Sequence, residues 1–155
     1  MLLNLAKFIE PIVKKLYCDL PSYSSPEIVT GSSSRPDLLA TNKKNNLYVV
    51  ELTVGHETNT EKNEKRKKEK YEHLLRDGTL KRVYKNIKFI NLVMTTAGIY
   101  SRESDQFFKM LKELNVDDTA VKYIASKLIE ICIRSSYYIF CMRMKDWNDP
   151  ELMDF

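Results

Sequence analysis

Residues 47–54, Leu-Tyr-Val-Val-Glu-Leu-Thr-Val, constrain the fold of this chain more than any other segment. β-Branched and aromatic residues dominate it, which predicts a strand. With a period of two, Tyr48, Val50, Leu52 and Val54 form one wholly apolar face, and Leu47, Val49, Glu51 and Thr53 form the other. The second face begins apolar and ends polar. Glu51 therefore puts a carboxylate where the strand would otherwise be core, and a carboxylate there needs a partner.

The neighbouring segments build a scaffold around that strand. Asp37 to Thr41 reads as a shorter strand, joined to it by the turn Asn42-Lys43-Lys44-Asn45-Asn46, so the two form a hairpin. Upstream, Leu2, Leu5, Phe8, Ile9, Ile12 and Val13 have helical spacing over residues 2–15, with Pro11 expected to shorten or bend the helix. A brief extended stretch is predicted over 16–20. Residues 21–36, rich in Ser and Pro, read as loop with a short strand at 28–30. Downstream, a helix is predicted over about 59–76, anchored by Tyr71, Leu74 and Leu75 and stopped by Asp77-Gly78. A central strand follows over 86–97, then a helix over about 101–114. The last helix is expected from the N-cap Asp118 to about Met144, with Tyr123, Cys132, Tyr137, Phe140 and Cys141 as its core stripe and Trp147 capping that core. The order α-β-β-β-α-β-α-α predicts one α/β domain over 1–155: a small mixed sheet flanked by helices, plus C-terminal helices.

Composition narrows the function classes. No apolar run reaches the roughly 18 residues of a membrane span, and the N-terminal stretch lacks the pattern of a signal peptide. The three cysteines (Cys18, Cys132, Cys141) have no metal-binding spacing, and an odd number fits reduced thiols inside a cell. Two histidines, His56 and His73, argue against a zinc site, and four isolated glycines against a glycine-rich phosphate cradle. The charge is concentrated. Residues 62–70, Lys-Asn-Glu-Lys-Arg-Lys-Lys-Glu-Lys, hold six basic and two acidic residues, leaving nineteen of each sign in the rest of the chain. One short helical segment thus carries the whole net charge of +4, and such focused potential attracts a nucleic-acid backbone.

Three features occur in order: Arg35-Pro36-Asp37 at the start of one strand, Glu51-Leu52-Thr53 thirteen intervening residues later on its partner, and Lys67-Lys68-Glu69-Lys70-Tyr71 on the next helix. The hairpin sets Asp37 beside Glu51. Two carboxylates projecting together repel unless a cation lies between them, and Mg²⁺ suits such a pair. This arrangement resembles the PD-(D/E)XK family of restriction-endonuclease-like nucleases, with Thr53 at the place where the common pattern has a lysine. It is similar to one subgroup in particular, the C-terminal endonuclease domain of site-specific non-LTR retrotransposons. There an Arg/Lys-Pro-Asp motif and a second acid are followed by K-x-x-K-Y, here Lys67 to Tyr71. Cys18-Asp19-Leu20-Pro21, Glu51-Leu52-Thr53-Val54, Glu57 and Ile139-Phe140 before Arg143 and Trp147 extend the resemblance over nearly the whole chain, most strongly over 17–75.

The resemblance implies a restriction-endonuclease-like α-β-β-β-α-β core and an Mg²⁺- or Mn²⁺-dependent endonuclease that nicks duplex DNA. Asp37, Glu51 and the Leu52 carbonyl would hold the metal. Lys70 is expected to reach the carboxylates, because Lys67, Lys70, Tyr71 and Leu74 share a helical face that Leu74 turns inward; Lys67, one turn earlier, is assigned mainly to the DNA backbone. Arg35, Lys65, Arg66, Lys68 and Tyr71 complete the expected nucleic-acid surface. The resemblance further implies a reverse transcriptase upstream in a parent polyprotein, and cleavage of both strands would need two copies of the chain. Lys-Arg-Lys-Lys at 65–68 also reads as a nuclear-localisation patch. A blander reading competes: Glu51 satisfied by a buried salt bridge to Lys70 or Arg35, in a catalytically silent descendant that only binds nucleic acid or protein.

Overall fold

The computed structural model describes residues 1–31 and 34–142. Four strands form one sheet in the order β1-β2-β3-β4: β1 Lys15–Cys18, β2 Leu38–Thr41, β3 Asn46–Gly55 and β4 Asn86–Thr95. β1 and β2, and β2 and β3, pair antiparallel, and β4 runs parallel to β3. A parallel pair needs a long crossover, supplied here by α3 (Thr60–Arg76) and α4 (Gly78–Val83). The α-β-β-β-α-β core expected from the sequence is present, with helices on both sides of a mixed sheet.

Each face of the sheet carries its own core. On one side, Leu38, Ala40, Tyr48, Val50, Ile90, Leu92 and Met94 pack against Leu5, Ala6 and Ile9 of α1 (Leu2–Ile9), Phe107, Met110 and Leu111 of α5 (Asp105–Glu113), and Leu128 and Cys132 of α6 (Asp118–Met142). On the other, Leu39, Leu47 and Val49 meet Tyr71, Leu74 and Leu80 of α3 and α4. Because β3 is buried from both sides, Glu51 is 1% exposed.

Local chemistry explains where elements differ from expectation. The first helix ends at Ile9 and a 3₁₀ turn at Glu10–Ile12 follows, because Pro11 has no N–H to continue an α-helix. Residues 28–30 are not a strand: Pro26 starts the one-turn helix α2 (Glu27–Thr30), and the Thr30 hydroxyl donates back to the Pro26 carbonyl at 3.1 Å. Asp77 ends α3 but also begins α4, its carboxylate accepting the Thr79 and Leu80 N–H groups. The stripe on α6 also differs. Val121, Ile124, Leu128 and Cys132 face inward at helical spacing, whereas Tyr123 is 57% exposed and Tyr137 and Phe140 are each 66% exposed. At about 100° per residue those three aromatics fall off the stripe that Leu128 and Cys132 define. Cys141 is half-buried. Arg143, Met144 and Trp147 lie outside the described residues.

Among the described residues no helix is long and apolar enough to cross a membrane.

Candidate active site

Strand register brings the two acids together. Leu38 pairs with Val50, so Asp37, one residue before β2 begins, falls beside Glu51. From Glu51 to Gly55, β3 continues with β4 on one side and has left the end of β2 on the other. At this open edge the acids brace one another through the backbone. The Asp37 N–H donates to Glu51 Oε1 at 2.9 Å, and the Leu52 N–H donates to Asp37 Oδ2 at 2.9 Å. In an extended strand the N–H and C=O of one residue point to the same side. The Leu52 carbonyl is therefore directed to the edge that Asp37 occupies.

The third group comes from α3, and it is Lys67. Its Nζ forms an ion pair with Glu51 Oε2 and lies 3.9 Å from Asp37 Oδ2. Lys70, expected in that place, is exposed, with its Nζ 4.9 Å from the centre of the Tyr71 ring. Helical geometry gives the reason. Tyr71 and Leu74 are the buried anchors of α3. At about 100° per residue, Lys67 lies between their directions, while Lys70 lies about 100° from Tyr71. Two anchors, not Leu74 alone, set the inward face.

Two further contacts of α3 hold the Pro-Asp segment. The Tyr71 hydroxyl donates to the Arg35 carbonyl at 2.9 Å, and Ser34 Oγ and His73 Nε2 are hydrogen-bonded at 2.7 Å. Burial, with the charges of Glu51 and Asp37 nearby, pushes the Tyr71 phenol well above its ordinary range, so it stays neutral as a donor. The Arg35 side chain turns away from the carboxylates and pairs with Asp19 and, at 3.5 Å, with Glu27. Those two acids compete with any phosphate for it. Lys65, Arg66 and Lys68 remain on the exposed face of α3, with Lys65 at 4.0 Å from Glu69. His56 and Glu57 are exposed beyond the strand end.

Burial raises the Glu51 pKa above the usual carboxylate range; the hydrogen bond and charge of Lys67 pull it down and the Asp37 charge pushes it up. With both acids ionised, two carboxylates and one ammonium carry a formal net charge of −1 at the edge, which favours a further cation. Among the described residues no group of three or more His, Cys, Asp and Glu side chains forms a ready-made metal cage. The donor set is instead two carboxylates and a backbone carbonyl. That set fits Mg²⁺, which binds one or two carboxylates and keeps its remaining positions for water and phosphate oxygens.

Asn91 escaped the sequence reading. It is the β4 register partner of Glu51 and is 3% exposed. Thr53 Oγ1 lies 3.5 Å from its Oδ1, and its Nδ2 has no hydrogen-bond partner. The signal available was an amide inside the otherwise apolar run from Phe89 to Met94. The chain matches no model of a known protein family, and no curated protein is similar to it in sequence.

Proposed function

We propose that this chain is a metal-dependent endonuclease that nicks duplex DNA, with Asp37, Glu51 and Lys67 at its centre. The observation that supports this reading is the meeting of two mutually braced carboxylates with one lysine at an open sheet edge, beside the segment that carries the net charge. Asp37 and Glu51, with the Leu52 carbonyl, would hold Mg²⁺ or Mn²⁺. Such an ion supplies an acidified water and neutralises charge on the phosphate under attack. Lys67 holds a fixed positive charge against the carboxylates, where it stabilises negative charge developing on the phosphoryl oxygens. Tyr71 positions Asp37 by tying the Arg35 carbonyl to α3. Lys65, Arg66 and Lys68 bind the DNA backbone and make affinity fall with salt. The resemblance to retrotransposon endonucleases supports the same reading, and with it an upstream reverse transcriptase in a parent polyprotein, a nuclear site of action and paired copies for two-strand cleavage.

Incubation with supercoiled plasmid tests it. The protein nicks the plasmid in Mg²⁺ or Mn²⁺ but not in EDTA, and Asp37→Asn or Glu51→Gln abolishes nicking. Nicking that survives either substitution refutes the assignment. One observation favours a silent binding protein instead: Glu51 is already satisfied by Lys67 and the Asp37 N–H. Salt-dependent DNA binding by wild-type protein that never nicks in either metal would decide for that reading.

A further inference from the structure

From the cavity lined by Asn91, the register partner of Glu51, we infer that one unpaired nucleobase of the bound nucleic acid is recognised there. The inference rests on the nuclease reading for the identity of the polymer, and on the cavity itself for the base. The space, about 540 Å³, lies between α3, β4 and the start of α5. That volume is within the range of small-ligand sites, about 300–1,000 Å³. Asn91, one of the residues lining it, lies one strand spacing (about 4.8 Å) across the sheet from Glu51. A nucleotide flanking a phosphate at the carboxylates is therefore within reach of it.

Asn91 and Glu64, both of which line this cavity, each carry a buried polar atom with no partner: Asn91 Nδ2, a donor, and Glu64 Oε1, an acceptor. Turning the Asn91 amide over does not remove the vacancy, since Thr53 engages only one end of it. Buried polar atoms are nearly always paired, so an orphan donor and an orphan acceptor in one cavity call for a ligand that offers both. The charges exclude a bare phosphate as the best fit. Lys68 and Arg102 are balanced by Glu64 and Glu103 around the same space, so it is formally neutral. A nucleobase edge is neutral and presents donors and acceptors side by side. Phe89 supplies an aromatic wall, its ring packed on Tyr71 with centroids 6.0 Å apart, and stacking on such a ring tolerates any base. A base can enter only if it is out of a duplex stack, so the preferred substrate is DNA with an unpaired nucleotide beside the scissile phosphate.

Fluorescence anisotropy in EDTA tests this without cleavage. Three probes are compared: a perfect duplex, the same duplex with one bulged nucleotide, and the bulged form with an abasic residue at that position. The bulged probe binds about tenfold tighter than the other two. Asn91→Leu, which keeps the branched heavy-atom skeleton, and Glu64→Met, which removes the acceptor, each reduce that preference. Equal binding of the bulged and abasic probes overturns the inference, because flexibility or the phosphate alone then explains recognition. A preference unchanged in both variants also overturns it; should Asn91→Leu fail to fold, Glu64→Met and the abasic probe still decide. Plasmid nicking is scored separately. Nicking without base preference sinks this inference alone, and base preference without nicking sinks the nuclease reading alone.

Discussion

Replacing Lys67 with Met keeps the length and apolar stem of the side chain and removes its charge, which isolates what that charge does for Glu51. Glu51 is 1% exposed, and Lys67 Nζ is the cation that its Oε2 meets. Removing one partner of a buried ion pair costs about 3–5 kcal/mol when the other is left ionised. Two features reduce the cost here. The Asp37 N–H still donates to Glu51 Oε1, and Glu51 can take up a proton. Protonation costs about 1.4 kcal/mol for each pH unit above the unfolded value near 4.3, which limits the loss to about 3.7 kcal/mol near pH 7. With the Lys67 side chain 21% exposed, the expected loss is about 2–4 kcal/mol near pH 7. The sign with pH follows. Burial already raises the Glu51 pKa and Lys67 opposes that rise, so the variant raises it further. Its folded state then binds a proton that the unfolded chain releases, and the deficit shrinks to about 1 kcal/mol near pH 5. Urea unfolding in EDTA at both pH values measures this, with Lys70→Met as the comparison. Lys70 is exposed, so that variant unfolds close to wild type at either pH. Equal stability of wild type and Lys67→Met at neutral pH, or a deficit that does not change with pH, refutes the reasoning.

Other substitutions test the scaffold. Tyr71→Phe removes the donor to the Arg35 carbonyl and costs about 1–3 kcal/mol; nicking falls with it, and an unchanged rate shows that the tether does not position Asp37. Gly98 has φ +81, and a Cβ there would lie 3.0 Å from side-chain atoms of Ile129 and Ile133. Gly98→Ala therefore lowers stability by about 1–3 kcal/mol in thermal or urea unfolding, and a neutral result contradicts the close approach of α6 to that turn. Cys18 and Cys132 are buried, and burial pushes the Cys18 thiol up to about 11. Iodoacetamide at mildly alkaline pH, read by mass spectrometry, labels half-buried Cys141 first; labelling of Cys18 at the same rate contradicts the packing of β1.

Particular residues show how far local signals reach. The alternation through Leu47 to Val54, the turn at 42–46 and the Asp77-Gly78 stop are short-range patterns, and they set the element order. They also set the meeting of the acids, because the hairpin turn fixes which residue falls opposite which. Asp37 and Glu51 could thus be paired from sequence spacing alone.

Choosing between Lys67 and Lys70 was beyond such patterns. Both lie on the same broad side of α3, and the choice depends on how Tyr71 and Leu74 seat that helix on β3 and β4. The ion pairs of Arg35 were out of reach for a similar reason, since its partners Asp19 and Glu27 lie in chain segments that only packing brings near. Asn91 became visible only once β4 was placed parallel to β3 in a register that sets it against Glu51. Periodicity reports which side of an element is buried. What fills the space opposite that side depends on long-range packing, and only the folded structure fixes it.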